Sequence, residues 1–276
     1  MLDEPDLSFS PSDSAQVDVH PLRGLAKFGP YSKGSFGGFT SRVRIATVGP
    51  ESAFRRRGEL MLSLRNTHRP SDRSEYVPPY PGFEKLYHVE LVSAPRDAHI
   101  KWPENIYDFA GDGDPQTRLF LAMEAAFRQL ELVRNEFDVV LVHFPDSWNP
   151  ATRSKLFDAH DALKALGARF KIPTQVLNDR AFTFQHKASL AWRLATALYV
   201  KAAGTPWKLA PLRGVPADTA YNRLVHCPCL PGHQTNYSDH CIGLVSVVRR
   251  ILPQYPLQAY CAFVARGLFS LNFSIV

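Results

Sequence analysis

Apolar residues recur along this chain in two alternating patterns: short continuous runs, and longer runs with a spacing of three and four. The continuous runs predict β-strands at 43–48, 86–92, 138–144 and 174–177. The spaced runs predict α-helices at 52–65, 115–134, 152–166 and 185–203. Gly167 is expected to end the third helix, and Gly204 the fourth. The clearest strand is DVVLVHF at 138–144, whose apolar run indicates burial on both faces of a sheet.

The alternation of apolar strands with amphipathic helices predicts an α/β fold, a Rossmann-like parallel sheet with helices on both faces. Ligands of such folds bind beyond the carboxyl ends of the strands. We therefore expect the loop after Phe144, the start of the next helix and the region of Gln175 to form a site at that edge. The chain has no GxGxxG motif after its first strand and no GxxxxGK[ST] motif. A dinucleotide site and a P-loop site are therefore not expected.

Composition divides the 276 residues into three segments. Residues 1–40 are rich in Ser, Pro and Gly and lack periodicity, which predicts a lead-in packed on the surface of the next domain. Residues 41–210 carry the strand and helix pattern. Residues 211–276 differ from both, because from Tyr221 onward there is one acidic residue, no lysine and all four cysteines of the chain.

Charge and cysteine usage narrow the class of protein. The formal net charge is +6, the sign that suits a polyanionic partner. We see no apolar run of about 18 residues and no signal-peptide pattern at the N-terminus, so we expect a cytoplasmic protein without a membrane span. The cysteines are confined to the last fifth of the chain, which argues against a disulfide framework and predicts free thiols.

Four polar residues between 160 and 201 form a candidate site. His160 and Lys164 stand four apart and share one helix face. Gln175 is expected just past a short apolar strand, and Lys201 closes the long helix before Ala-Ala-Gly. Together they could meet on a terminal phosphate, which makes the chain a candidate reader of nucleic-acid ends. Each also has a simpler interpretation: a surface histidine, a solvated lysine, a turn cap and a cation favoured by the helix dipole.

The order of these motifs resembles the MID domain of prokaryotic Argonautes running into the opening of their PIWI domain. The motifs are DVVLVHFP, a helix bearing HxxxK, a PTQ turn and the run LAWRLATALYVKAAGTPWKL. The resemblance covers roughly residues 5–221, and HPLRGLAKFGPYSKG followed by RVRIATVG is similar to the segment that enters MID. It implies that 41–210 is a MID-like domain that binds the 5′ end of a guide strand, followed by a PIWI remnant.

The resemblance also implies a role for each candidate residue. His160 and Lys164 would cradle the 5′ phosphate, with His where many relatives carry Tyr. Gln175 would lie near the first and third phosphates and help to hold a divalent ion, Mg²⁺ or Mn²⁺. Lys201 would close the pocket. The loop at 147–149 lies where these proteins sense the first base, and an imidazole at 160 could stack against that base.

The C-terminal segment departs from the family. A PIWI nuclease needs several Asp and Glu side chains around its metal ions, and the remaining residues lack them. One interpretation is a reading-frame shift near Tyr221. The other is a genuine appendage in which histidines and cysteines bind zinc, although Cys227-Pro-Cys229 is a poor zinc spacing. The missing C-terminus also puts tight metal binding in doubt, since in many relatives the terminal carboxylate is a ligand.

The sequence therefore predicts a truncated, catalytically inactive prokaryotic Argonaute, a binding module and not an enzyme. Its partners would be a short guide RNA or DNA with a 5′ phosphate and a target strand, and the resemblance implies a role in prokaryotic defence. An alternative is an interaction subunit that pairs with a separately encoded chain through its apolar tail. A third possibility, a phosphate-site hydrolase or transferase, is disfavoured because no glycine-rich loop or convergent carboxylates are present.

Overall fold

The computed structural model describes residues 4–34, 40–71, 75–153 and 157–211, together with the backbone of 225–228 and 240–243. The chain divides into two compact units, Met1–Ala210 and Pro211–Val276. In the second unit the described residues form two antiparallel strands, Val225–Pro228 and His240–Gly243. The predicted free thiols, zinc ligands and apolar partner surface concern side chains that lie outside the described residues, so these remain predictions.

The first unit alternates strands and helices along the chain. Its strands are β1 (Leu7–Ser8), β2 (Val17–Asp18), β3 (Arg42–Pro50), β4 (Glu90–Ser93), β5 (His99–Trp102), β6 (Val139–His143), β7 (Thr174–Leu177) and β8 (Lys208–Leu209). Its α-helices are α1 (Pro21–Phe28), α2 (Phe54–Arg65), α3 (Phe83–Tyr87), α4 (Pro115–Leu132), α5 (Asn149–Thr152), α6 (Ala159–Phe170), α7 (Arg180–Thr183) and α8 (Lys187–Lys201). No described helix combines the length and the apolar character that crossing a membrane requires.

The main sheet has the order β4-β3-β6-β7, and β5 also pairs with β3 beyond the end of β4. Every pair in it is parallel. A small antiparallel sheet, β2-β1-β8, pairs the lead-in with the C-terminal end of the unit. The predicted parallel sheet is confirmed, and the strand at 174–177 has the predicted bounds.

Helices cover both faces of the sheet, as predicted. All five residues of β6 are buried, and their side chains alternate between the faces. Val140 and Val142 pack in a core with α4 and α6. Val139 and Leu141 pack in a second core with α2, α3 and α8. The lead-in contributes to this second core, because Phe9 and Leu25 are buried in it.

Two predicted elements were wrong. The strand predicted at 86–92 is split, since α3 ends at Tyr87 and β4 begins only at Glu90. Burial of the α3 side chains beneath the sheet stabilises this one-turn helix. It was not predicted because a short apolar run in the sequence fits a helix as well as a strand. The helix predicted at 152–166 is also divided, because α6 begins at Ala159 after Asp158, whose side chain caps it. Strand β5 was not predicted.

Gly167 does not end α6, as the sequence had predicted, but lies inside it. The helix continues to Phe170, and Lys171 ends it in the left-handed conformation, with φ of 54°. A Cβ atom at Gly167 would lie 2.9 Å from the backbone oxygen of Ile172. Glycine is therefore needed here for close packing of the chain that turns from α6 into β7.

We expect Gly167→Ala to lower the free energy of unfolding by about 1–3 kcal/mol, because the contact is with backbone that cannot move aside. Gly58→Ala is a matched control, since Gly58 lies on the exposed face of α2 and an added Cβ would have no neighbour within 4 Å. The control should gain about 0.5–1 kcal/mol from helix propensity. Urea unfolding of the two variants measures both values, and equal effects would contradict this account of Gly167.

Candidate functional site

The candidate residues lie along the open edge of β7. Among the described strands, β7 pairs with β6 alone. The carbonyl oxygens of Pro173 and Leu177 accept hydrogen bonds from the β6 side, so those of Thr174 and Val176 point away from the sheet. An unpaired strand edge leaves such groups without backbone partners. At this edge, side chains donate the hydrogen bonds that a neighbouring strand would otherwise provide.

Lys201 and Gln175 bond to these outward carbonyls. The ammonium of Lys201 donates to the Thr174 oxygen. The amide Nε2 of Gln175 donates to the Val176 oxygen at 3.0 Å. Both side chains are half-buried. The two residues come from different elements, and their hydrogen bonds fix them beside each other on the same strand edge.

His160 and Lys164 lie on α6, which packs on the neighbouring face of the sheet. Asp158 starts this helix by accepting hydrogen bonds from the backbone N–H groups of His160 and Asp161. His160 lies in the first turn with 49% of its side chain exposed. Lys164 follows one turn later and is half-buried. The predicted shared helix face is therefore present.

Three of the four residues lie within electrostatic range of one another. Burial and, to a smaller extent, nearby Lys164 lower the pKa of Lys201 to about 8. Burial also lowers the pKa of His160, and Lys164 and Lys201 add to this effect against the opposing carboxylates of Asp158 and Asp161. The structure thus brings together cations from α6 and α8, and His160 is neutral at pH 7.

The expected position of the site was wrong for two residues. Gln175 is not past the strand but is the second residue of β7. Lys201 contacts Thr174, the first residue of that strand. Both therefore lie beside the start of β7 and not beyond its carboxyl end, because α8 runs back along the sheet and ends near the strand starts. The site lies beside an edge strand, with α6 on one face and α8 on the other.

Gln175 suits a metal ion only in part. Its Nε2 is a donor to Val176, so its amide oxygen is the atom available to a cation. Mg²⁺ binds several oxygen ligands, usually including waters or substrate phosphates. One neutral oxygen is too few to hold the ion without phosphate oxygens. The Gln175 amide oxygen would therefore hold a divalent ion only if a bound phosphate supplied further oxygen ligands.

The loop after β6 is held by Trp148. This side chain is 1% exposed, and its Nε1 donates to the Glu104 carbonyl oxygen. It packs against Trp102 and Phe109, with ring centroids 6.1 and 5.3 Å away. Ser147 and Asn149 on either side are exposed. The segment predicted to meet the first base therefore presents two polar side chains around a buried anchor.

The role of Asp158 as the cap of α6 was not predicted, and neither was a largely buried polar group at the carboxyl edge. That group comprises Arg57, His143 and Asp179. A signal for it was present, since His143 is the one polar residue inside the buried run VVLVH. A buried histidine needs hydrogen-bond partners from neighbouring elements, and those partners cannot be identified from spacing alone.

No protein-family model matches the chain, and no curated protein matches it with significant similarity. Solved structures do match. The chain is similar to Piwi and Argonaute structures. Drosophila Piwi is 14% identical, with a TM-score of 0.43, over 78% of this chain and 24% of that one. Aa-Ago with externally bound siRNA is 14% identical, with a TM-score of 0.45, over 81% of this chain and 29% of that one.

The Argonaute of Methanocaldococcus jannaschii is 11% identical, with a TM-score of 0.42, over 92% of this chain and 33% of that one. This chain therefore spans about a quarter to a third of the length of these structures. Piwi and Argonaute proteins are also the group that the sequence motifs resemble. The similarity concerns the fold, and the site residues are assigned from their own geometry.

Proposed function

We propose that the first unit binds the 5′-phosphorylated end of a short RNA or DNA guide strand. His160, Lys164, Gln175 and Lys201 would surround the phosphate. The observation that carries this proposal is the convergence of Lys164 and Lys201 beside the open edge of β7, where Lys201 is half-buried. The charge of Lys164 acts on Lys201, and two neighbouring ammonium groups favour a bound anion because it offsets their repulsion.

The electrostatics support a phosphate in particular. Holding Lys201 out of water costs free energy, and its described contacts include the neutral Thr174 oxygen but no carboxylate. A terminal phosphate carries nearly two negative charges at pH 7 and offers three acceptor oxygens. It could accept from both lysines and from Gln175 at once, and hydrogen bonds between charged groups are the strong ones. A 5′ hydroxyl offers neither this charge nor these acceptor oxygens.

We also propose that the chain holds nucleic acid without cutting it. Two-metal cleavage needs several carboxylates around the ions. Among the residues that the structure describes, the one cluster of three close metal-ligand side chains is Asp158, His160 and Asp161, and Asp158 already caps α6. The chain spans about a third or less of the length of the similar structures. A target strand and any partner protein would make further contacts outside this unit.

The test compares oligonucleotides that differ only at the 5′ end. Phosphorylated and hydroxyl forms, as RNA and as DNA, are titrated against the wild type and Lys164→Ala. We expect the phosphorylated end to bind about 10- to 100-fold more tightly, the value of a hydrogen bond between charged groups, and Lys164→Ala to remove most of that preference. Recovery of full-length strands afterwards checks the proposal that nothing is cut.

Lys187→Ala serves as the matched control. It removes the same charge from the exposed first residue of α8, at the opposite end of the helix from Lys201. The control should bind both oligonucleotides as the wild type does, apart from a small uniform loss from reduced net charge. If both ends bind equally well to the wild type, or if Lys187→Ala and Lys164→Ala behave alike, the assignment of the phosphate site is wrong.

A further inference from the structure

A second polar cluster lies beyond the carboxyl ends of β3 and β6. The chain passes from β3 to β4 and β5 on one side and then to β6 on the other. The direction of connection therefore reverses between β3 and β6. In open α/β sheets, ligands bind in the crevice outside the carboxyl ends of the strands at this reversal. Gly49 and Pro50 end β3 there, and His143 ends β6.

Arg57 of α2 is buried at this edge without a carboxylate in contact. It is 2% exposed, and its Nη1 donates to the Pro50 oxygen at 3.0 Å. Its Nε lacks a partner among the described residues. Burial and, to a smaller extent, the charge of Arg56 lower the pKa of Arg57 to about 10, and Glu104 opposes this shift from a distance. A buried cation in this condition costs stability.

His143 faces the same place and also has an unpaired atom. Its ring is fully buried, and burial lowers its pKa, so the ring is neutral at pH 7. Nε2 donates to Asp179 Oδ1 at 3.2 Å, which leaves Nδ1 as an acceptor. In the described part of the chain, Nδ1 has no partner. One donor and one acceptor are therefore buried and unused.

Gly49 lies between the two side chains. A Cβ atom on this residue would be 2.9 Å from Arg57 Nη1 and 3.0 Å from the Cβ of His143. The guanidinium and the root of the imidazole thus lie within 3.0 Å of one point. Gly49 has φ of 150°, a conformation that favours glycine. Its missing side chain lets Arg57 reach the end of the strand.

The outer wall of this cluster is half-exposed. Asp179 Oδ1 also accepts from Arg56 Nη1 at 3.2 Å, and its Oδ2 accepts from the Asp146 backbone N–H at 2.9 Å. The side chains of Arg56 and Asp179 are 44% and 30% exposed. Asp179 therefore neutralises Arg56, and no carboxylate of the described residues contacts Arg57 directly.

We propose that the cluster of Arg57 and His143 is a second binding site, for a small oxyanion of the phosphate class. Hydrogen phosphate combines a negative oxygen for the Arg57 Nε–H with a hydroxyl for His143 Nδ1. This ligand would offset the charge of Arg57 and satisfy both unused atoms. Retaining a costly buried charge at the ligand-binding edge of this fold is the pattern of a functional site. The proposal does not depend on the guide-end site, the proposed phosphate site at His160, Lys164, Gln175 and Lys201.

The test uses the full chain with the guide-end site removed by Lys164→Ala and Lys201→Met. Inorganic phosphate is titrated by calorimetry into this protein and into the same protein with Arg57→Met. We expect binding to the former and at least about 10-fold weaker binding to the latter, the loss of one charged hydrogen bond. A nucleoside 5′-monophosphate, titrated in parallel, separates the two phosphate sources, because tighter binding than inorganic phosphate would indicate a nucleotide.

Two further measurements test the same proposal: the melting temperature of the variants and the NMR resonance of the His143 ring nitrogen. Arg57→Met should keep or raise the melting temperature without phosphate, since an apolar side chain replaces an uncompensated charge. Arg65→Met on the same helix is the control, because its guanidinium donates to the Leu91 oxygen and should be needed for folding. If phosphate does not bind, if Arg57→Met leaves its affinity unchanged, or if the His143 ring nitrogen resonance does not shift on phosphate addition, the proposal is overturned.

Discussion

Lys201→Met is expected to reduce the preference for a 5′-phosphorylated over a 5′-hydroxyl oligonucleotide by about 10- to 100-fold, the value of one or more hydrogen bonds between charged groups. The methionine keeps the length and most of the apolar stem of the side chain but cannot donate a proton. It also removes a half-buried cation whose pKa is lowered to about 8 by burial and by Lys164. The fold should therefore tolerate the change, although the Thr174 oxygen loses its donor.

The wild-type preference should also depend on pH, with a sign set by Lys201. Below pH 8 its ammonium is charged, and above about pH 6 a terminal phosphate is mostly doubly ionised. The preference should be strongest between these values and should weaken as the pH rises through 8, where Lys201 loses its proton in the free protein. Lys201→Met should show no such loss.

Fluorescence anisotropy titrations at several pH values, with both oligonucleotides, measure these effects. Lys187→Met, at the exposed start of α8, makes the same substitution away from the site. It should retain both the preference and its loss above pH 8. A pH profile that is the same in Lys201→Met and in the wild type would exclude Lys201 as a phosphate contact.

Trp148→Ala is expected to lower the free energy of unfolding by about 3–5 kcal/mol, the range for truncating a large buried aromatic side chain. The indole is 1% exposed and fills space between Trp102 and Phe109. Its loss would leave a cavity, and the Glu104 carbonyl oxygen would lose the hydrogen bond that the indole N–H donates. The loop that carries Ser147 and Asn149 would lose its anchor in the core.

Thermal and urea unfolding measure this cost. Tyr107→Ala is the matched control, because Tyr107 lies in the neighbouring segment with 64% of its surface exposed. That variant should change the stability by less than about 0.5 kcal/mol, as surface substitutions usually do. A small effect of Trp148→Ala would mean that the loop is not held by its tryptophan.

Much of the fold could be predicted because periodicity is a local signal. The run at 138–144 is apolar enough to require burial on both faces, and β6 is buried along its whole length. The helices α4 and α8 also follow their predicted spans closely. The prediction failed where a short apolar run fits two structures, as at α3, and where a strand of four residues is too short for its alternation to stand out, as at β5.

The residues of the candidate site could be proposed from the sequence, but their position in the fold could not. The spacing of His160 and Lys164 places them on one helix face whatever else the chain does. That Lys201 meets Thr174 depends on the direction in which α8 crosses the sheet, which spacing along the chain does not encode. The effect of Gly167 was also misjudged, because its role is to admit the Ile172 carbonyl and not to end the helix.

By itself, the sequence determined the strand and helix alternation, the parallel sheet and the residue types of the phosphate-site hypothesis, because side-chain periodicity and chemistry are properties of neighbours along the chain. Only the tertiary structure decided that Lys164 and Lys201 lie close enough to lower the pKa of Lys201, and that Arg57 and His143 are buried with unpaired atoms. Those facts arise from segments far apart in sequence, and desolvation and charge proximity exist only once these segments pack together.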